Sequence, residues 1–119
     1  MRKAISFEAV SVAHGKRPAI IQVRPQVTFR PDRIYIPIHI ATFFDVEDII
    51  IGHNSQKISI DALPGWSFSQ CMGDEGEEDG RRFDMDIVNP NQYIILKVIN
   101  KSSHSRAFQA TIFGEEIRR

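Results

Sequence analysis

The densest chemistry-bearing stretch is residues 73–82, Gly-Asp-Glu-Gly-Glu-Glu-Asp-Gly-Arg-Arg, which contains no apolar residue. Glu75, Glu77, Asp79, Gly80 and Asp86 fall on the spacing with which an EF-hand loop surrounds calcium, Gly80 taking the turn position. Three features count against that chemistry. The first ligand is Glu where Asp is usual, the last is Asp where a bidentate Glu closes the site, and the flanks have the pattern of strands. The run therefore reads as an exposed acidic loop whose like charges repel one another and which adds nothing to a core. Loose cation binding by its carboxylates stays open.

The four histidines, His14, His39, His53 and His104, are scattered. A metal-dependent cupin holds its ion with a paired His-x-His, a following Glu and a later His. Here His39 has no partner two residues on, although Glu47 follows it and His104 lies near the end. A lone strand histidine is a packed or solvent-facing residue more often than a ligand, so no metal and no cofactor are assigned. Nucleophilic catalysis lacks its signatures too. There is no Gly-x-Ser-x-Gly, and the single cysteine, Cys71, stands beside Met72 without a neighbour that would lower its pKa. No glycine-rich phosphate cradle is present. The expectation is a protein without catalytic residues.

Aromatic side chains remain, and their chemistry is surface burial. Trp66 and Phe68 follow a Pro64-Gly65 turn, where a tryptophan can stack on a sugar ring or anchor a partner, or where both rings can fill a core. Tyr35 is a second stacking platform. Phe43 and Phe44 are adjacent, so in an extended segment one ring faces away from the core and is available to another subunit. Arg81 and Arg82 close the acidic run with cations. Phe43, Phe44, Trp66, Phe68, Arg81 and Arg82 are thus the expected partner-binding residues.

Fifteen Lys and Arg balance fifteen Asp and Glu, a formal net charge of zero. A general nucleic-acid binder needs a basic surface to replace phosphate counterions, so direct nucleic-acid binding is not expected. The charges are nevertheless segregated: Lys16, Arg17, Arg24, Arg30 and Arg33 bias the first third, and residues 73–79 are acidic. Complementary regions on a neutral chain suit head-to-tail or side-by-side packing of copies, and solvated loops of either sign fit equally. One cysteine permits no internal disulfide. The N-terminal residues lack a signal-type apolar stretch and no run approaches a membrane span, so the expected location is a reducing cytoplasm, or a larger particle that leaves it. Asn100-Lys101-Ser102 matches a glycosylation sequon, read here as coincidence.

The elements that would position these residues are strands. Ile34, Ile36, Ile38 and Ile40 alternate with Tyr35, Pro37, His39 and Ala41, an apolar stripe along one extended strand, and residues 46–51 form a second apolar run closed by Gly52. Alternation also marks residues 5–13, 19–29, 57–60, 66–70, 83–88 and 107–113, and residues 93–99 read as a buried strand. Pro25 places its strand at an edge or breaks it. Arg30-Pro31-Asp32-Arg33 and Asn89-Pro90-Asn91-Gln92 read as turns. Eight or nine short strands with regular turn signals, and no helix of ten residues, predict one all-β sandwich domain over residues 1–119, a jelly roll or another Greek-key type.

The whole chain resembles the small β-sandwich proteins that decorate bacteriophage heads. The pieces that carry the resemblance are Arg24-Pro25-Gln26-Val27-Thr28-Phe29-Arg30-Pro31 and Asp48-Ile49-Ile50-Ile51-Gly52-His53-Asn54-Ser55-Gln56. It implies a non-enzymatic decoration or minor capsid subunit, whose partners are copies of itself or a capsid-type shell protein. The alternative is a ligand-binding module, for carbohydrate above all, with Trp66 or Tyr35 as the platform.

Overall fold

The computed structural model describes residues 2–56, 61–69, 80–82 and 84–117. Among the described residues nine strands follow in order: β1 (Arg2–Val12), β2 (Ala19–Val23), β3 (Phe29–Tyr35), β4 (Phe44–Ile51), β5 (Asn54–Ser55), β6 (Leu63–Pro64), β7 (Arg81–Arg82), β8 (Ile94–Asn100) and β9 (Arg106–Glu116). A four-residue helix, Ile38–Ala41, precedes β4, and a 3-10 turn, Gly65–Phe68, follows β6.

Two antiparallel sheets form. One has the order β1-β9-β3-β7; the other has β2-β8-β4-β5, with β6 also on β4. Strands β5 and β6 pair with opposite ends of β4, Ile51↔Asn54 and Asp45↔Pro64, and so share one strand position. The pairings are nested: β1 with β9, β2 with β8, β3 with β7, β4 with β5. A long hairpin rolled so that successive pairs fall in alternate sheets gives this order. The fold is an all-β jelly-roll sandwich.

The core follows from period-two alternation. In β8, Ile94, Leu96, Val98 and Asn100 point inward and the residues between them do not. In β9, Phe108, Ala110, Ile112 and Gly114 do the same. In β4 the phase changes at a bulge: Phe44 and Val46 face in, and after the register shift between Val46 and Asp48 so do Ile49 and Ile51. Asp48 satisfies that bulge, its carboxylate accepting from the Ile49 N–H (2.9 Å) and the Ser55 hydroxyl (2.6 Å). Phe44 and Phe108 meet edge to face between the sheets, centroids 5.0 Å apart at 73°.

Several expectations are corrected. The isoleucine stripe divides: Ile34 lies in β3, Ile36 just follows its end, and Ile38 and Ile40 lie in the helix. Ile34 and Ile36 are buried, but Pro37 ends the strand and its carbonyl accepts from the Ile40 and Ala41 N–H groups. That turn leaves Ile38 exposed. Arg30-Pro31-Asp32-Arg33 is not a turn but the middle of β3, where Pro31 sits at a register shift between Pro31 and Arg33. A proline without an N–H is tolerated at such an irregularity. Residues 66–70 are not a strand where described: they begin with the 3-10 turn. Residues 84–87 carry no strand either, and Val88 makes an isolated bridge with Phe29. Residues 81–82, expected in the exposed loop, are β7, with Gly80 buried beneath the β3 backbone. The strand expected at 57–60, Cys71, the acidic residues 73–79 and Phe83 lie outside the described residues.

Candidate functional site

The roll gathers four connections at one end. Val12 pairs with Arg106, His14 bridges to Asn100, Asn100 pairs with Phe44, and Asp45 pairs with Pro64. Residues 13–18, 36–43, 101–105 and the segment beginning at Gly65 therefore share this end.

The short helix and the 3-10 turn lie against each other there, and glycine makes it possible. A Cβ on Gly65 would collide with the carbonyl oxygens of Ala41 and Phe44, both backbone atoms that cannot swing away. The 3-10 turn is further held by the Ile36 N–H to the Phe68 carbonyl (3.0 Å), the Ser69 hydroxyl to the Ile36 carbonyl, and the Ser67 hydroxyl to the Pro64 carbonyl (2.8 Å). On this braced pair Trp66 and Ile38 are each 58% exposed.

The other expected residues divide. Phe44 and Phe68 are fully buried, so neither is a partner contact; this corrects their assignment. Phe44 fills the space between the sheets. Phe68 points inward because a 3-10 turn rotates about 120° per residue, which separates it from Trp66, where a strand would align them. Phe43 is half-buried, and the Arg106 guanidinium lies over its ring, 3.6 Å from the centroid. Arg81 is half-buried, 5.7 Å from the Phe68 centroid, and donates to the Ser67 hydroxyl (2.9 Å). It therefore braces the 3-10 turn from below. Arg82 is exposed on β7, opposite Arg33.

Asn100 escaped the sequence reading as a structural residue. It is 1% exposed, and its amide is fully engaged. Nδ2 donates to the carbonyls of Val12 and His104, both 2.9 Å, while Oδ1 accepts from the Ser102 N–H (2.9 Å) and hydroxyl (2.7 Å). One side chain thus ties β1 to the loop between β8 and β9 and shapes that loop. The sequon match is this structural asparagine, whose nitrogen is not available to a glycan in the folded chain. Beside it Lys101 pairs with Asp45 at 3.1 Å.

The charge bias of the first third is split by the fold. Lys16 and Arg17 lie in the connection at this end, whereas Arg24 follows β2 beyond the other end of that strand. His14, His39 and His104 are also here, and His53 is in the β4–β5 turn. Among the described residues no three His, Cys, Asp or Glu side chains come together as a metal site, and no helix is long and apolar enough to cross a membrane.

Comparison of the chain with protein-family models, curated proteins and solved structures finds no match. The residues must therefore speak for the function. Chemically, this end presents a fixed aromatic and aliphatic surface with cations around it.

Proposed function

We propose that the protein is a non-enzymatic structural subunit, of the virion or capsid-associated kind, that acts by self-association or by docking on a larger shell protein. Jelly rolls serve as capsid proteins, lectins and cupins alike, so the fold does not choose among them. The observation that carries the reading is the pair Trp66 and Ile38, more than half exposed on two short helical pieces locked together by Gly65. A large apolar side chain held in place before binding loses little freedom on binding, and tryptophan is the residue type most often found as an interface anchor. A net charge of zero offers little self-repulsion to oppose assembly.

Light scattering at low and high salt tests this. The wild-type chain is expected as a defined oligomer, and Trp66→Ala with Ile38→Ser is expected to dissociate it while leaving its far-ultraviolet circular dichroism unchanged. A wild-type monomer that also fails to bind any capsid shell would overturn the reading.

The exposure of Trp66 also favours one second reading, a carbohydrate-binding module in which the indole stacks on a sugar ring. That reading expects a monomer whose tryptophan fluorescence changes on titration with a glycan.

A further inference from the structure

The outer faces of the two sheets differ in kind. On the sheet that contains β9, the register rows across the face are Ser6–Thr111–Tyr35, Ala4–Phe113–Arg33 and Arg2–Glu115–Arg30, small, polar or charged at nearly every place. The other sheet is built differently. Ile94, Leu96 and Val98 of β8 point into the core, which leaves Ile95, Lys97 and Ile99 on the outside. The rows across that outer face are Gln22–Ile95–Ile50, Ile20–Lys97–Asp48 and Ile99–Asp45. Ile20 is 62% exposed, Ile50, Ile95 and Ile99 are half-buried, and none of the four is among the residues that pack against the core. A strand apolar on both sides is the pattern of a sheet covered on both sides. In β8 the opposing sheet covers one of them.

The charges on this face point to what covers it. Lys97 stands half-buried in the middle of the isoleucines. Its register neighbour Asp48 is turned toward the bulge, where Oδ1 accepts from both the Ile49 N–H and the Ser55 hydroxyl. Asp45 is taken by Lys101 at 3.1 Å. Lys97 forms no ion pair among the described residues. The face therefore holds one cation beside one carboxylate oxygen, Oδ2 of Asp48, that the bulge does not use. Such a surface is complementary to a turned copy of itself. Four strand positions of about seven residues, the outermost only partly filled, measure roughly 19 by 24 Å. Covering that area on two copies removes about 900 Å² before the relief of the side chains is counted, close to the lower bound for a specific contact. The contact thus belongs to the concentration-dependent class.

We infer that this face is covered by the same face of a second copy of the chain, the two related by a two-fold axis along the seam between β8 and β4. Rotation about that axis lays β8 of each copy over β4 of the other. Lys97 then meets Asp48 of the second copy twice, and Ile95 meets Ile50 twice. Sheets stacked in this way lie about 10 Å apart with their strands within about 30°. The inference rests on the self-association reading above and gives it a surface that does not include Trp66 or Ile38. An isologous contact closes on itself, so this one alone makes a dimer, and the Trp66 end extends the dimer further.

Sedimentation equilibrium over a range of concentrations at low salt tests the inference. Ile50→Thr with Ile95→Thr keeps both residues β-branched and removes the apolar rows. Lys97→Glu sets like charge against Asp48 of the other copy. Each is expected to weaken dimerisation about tenfold or more, with far-ultraviolet circular dichroism unchanged. Lys97→Met, which removes the charge without reversing it, is expected to weaken it less than Lys97→Glu. The Lys97 pair carries the test alone where the threonines disturb folding. Trp66→Ala with Ile38→Ser is expected to leave this dimer in place. Association unchanged in the folded face variants overturns the contact and leaves the self-association reading standing. A Trp66 and Ile38 variant that is wholly monomeric does the same. A wild-type monomer at every concentration overturns the contact and self-association together.

Discussion

Exchanging Asn100 for aspartate tests the loop end most sharply, because it changes hydrogen-bond polarity without changing volume. The substitution puts an oxygen where Nδ2 now donates, facing the carbonyls of Val12 and His104 at 2.9 Å. Two bonds of roughly 1 kcal/mol each are lost, the two carbonyls turn repulsive, and a carboxylate is buried where only the Ser102 donors compensate it. Removing the partner of a buried charge costs about 3–5 kcal/mol, and the total at neutral pH falls in that range. At about 4 °C per kcal/mol for a chain of this size, the midpoint drops by about 12–20 °C. The loss depends on pH. Burial and the two carbonyls raise the introduced carboxyl's folded pKa above its unfolded value of about 3.9. Below the unfolded value both states are protonated and the ionic part of the penalty vanishes. Between the two values only the unfolded state ionises, and the penalty grows by about 1.4 kcal/mol per pH unit until the folded value is passed. Urea unfolding of wild type, Asn100→Asp and Asn100→Leu at pH 4 and pH 7.5 reads this directly. The leucine variant should show the same loss at both pH values, the aspartate variant a larger loss at pH 7.5. An aspartate variant within about 1 kcal/mol of wild type at both would refute the hydrogen-bond assignment.

Phe44→Ala should cost about 3–5 kcal/mol in denaturant unfolding, since it empties the contact with Phe108, whereas Trp66→Ala should stay within about 0.5 kcal/mol. Gly65→Ala should destabilise by about 1–3 kcal/mol through its collision with two backbone carbonyls, and should shift the emission of the adjacent Trp66. A double-mutant cycle of Arg106→Met and Phe43→Leu should give a coupling of about 0.5–2 kcal/mol in the same assay, because the guanidinium lies face-on to the ring at 3.6 Å.

Alternation was enough to find the strands whose neighbours lie on one side. Apolar residues at spacing two mark β9, where Phe108, Ala110 and Ile112 are inside; in β1 Ile5 and Phe7 face the core, but a bulge between Phe7 and Val10 leaves Ala9 out and brings Val12 in. Pro25 signals an edge strand or a break, and both hold: β2 is the edge of its sheet and ends at Val23, and β3 begins at Phe29. Where alternation misled, a proline was involved. Pro37 interrupts four isoleucines that look like one strand, but with no N–H it cannot extend the ladder, and its carbonyl is taken by a helical turn. Pro31 does the reverse: a residue that signals a turn is absorbed at a register shift inside β3, opposite Gly114 of β9. Both outcomes depend on what lies across the sheet, which no local window contains.

The candidate site was legible only in residue type. Trp66 and Phe68 stand two apart, and as a strand they would share one face and one fate. Three residues per turn instead send Phe68 under Arg81 and leave Trp66 in solvent. The cause is Gly65, whose missing side chain lets the chain run against Ala41 and Phe44 closely enough to curl rather than extend. Those partners are more than twenty residues away in sequence. Asn100 is legible even less, since its use follows from Val12, which lies eighty-eight positions earlier. An asparagine at the end of a strand ordinarily reads as a turn residue. Here it is the crosspiece that ties β1 to the β8–β9 loop, at the same end of the roll that carries the exposed Trp66 and Ile38. The prediction for Asn100 and the proposal for Trp66 are therefore linked: loosening the first should weaken assembly through the second while leaving the indole itself unchanged.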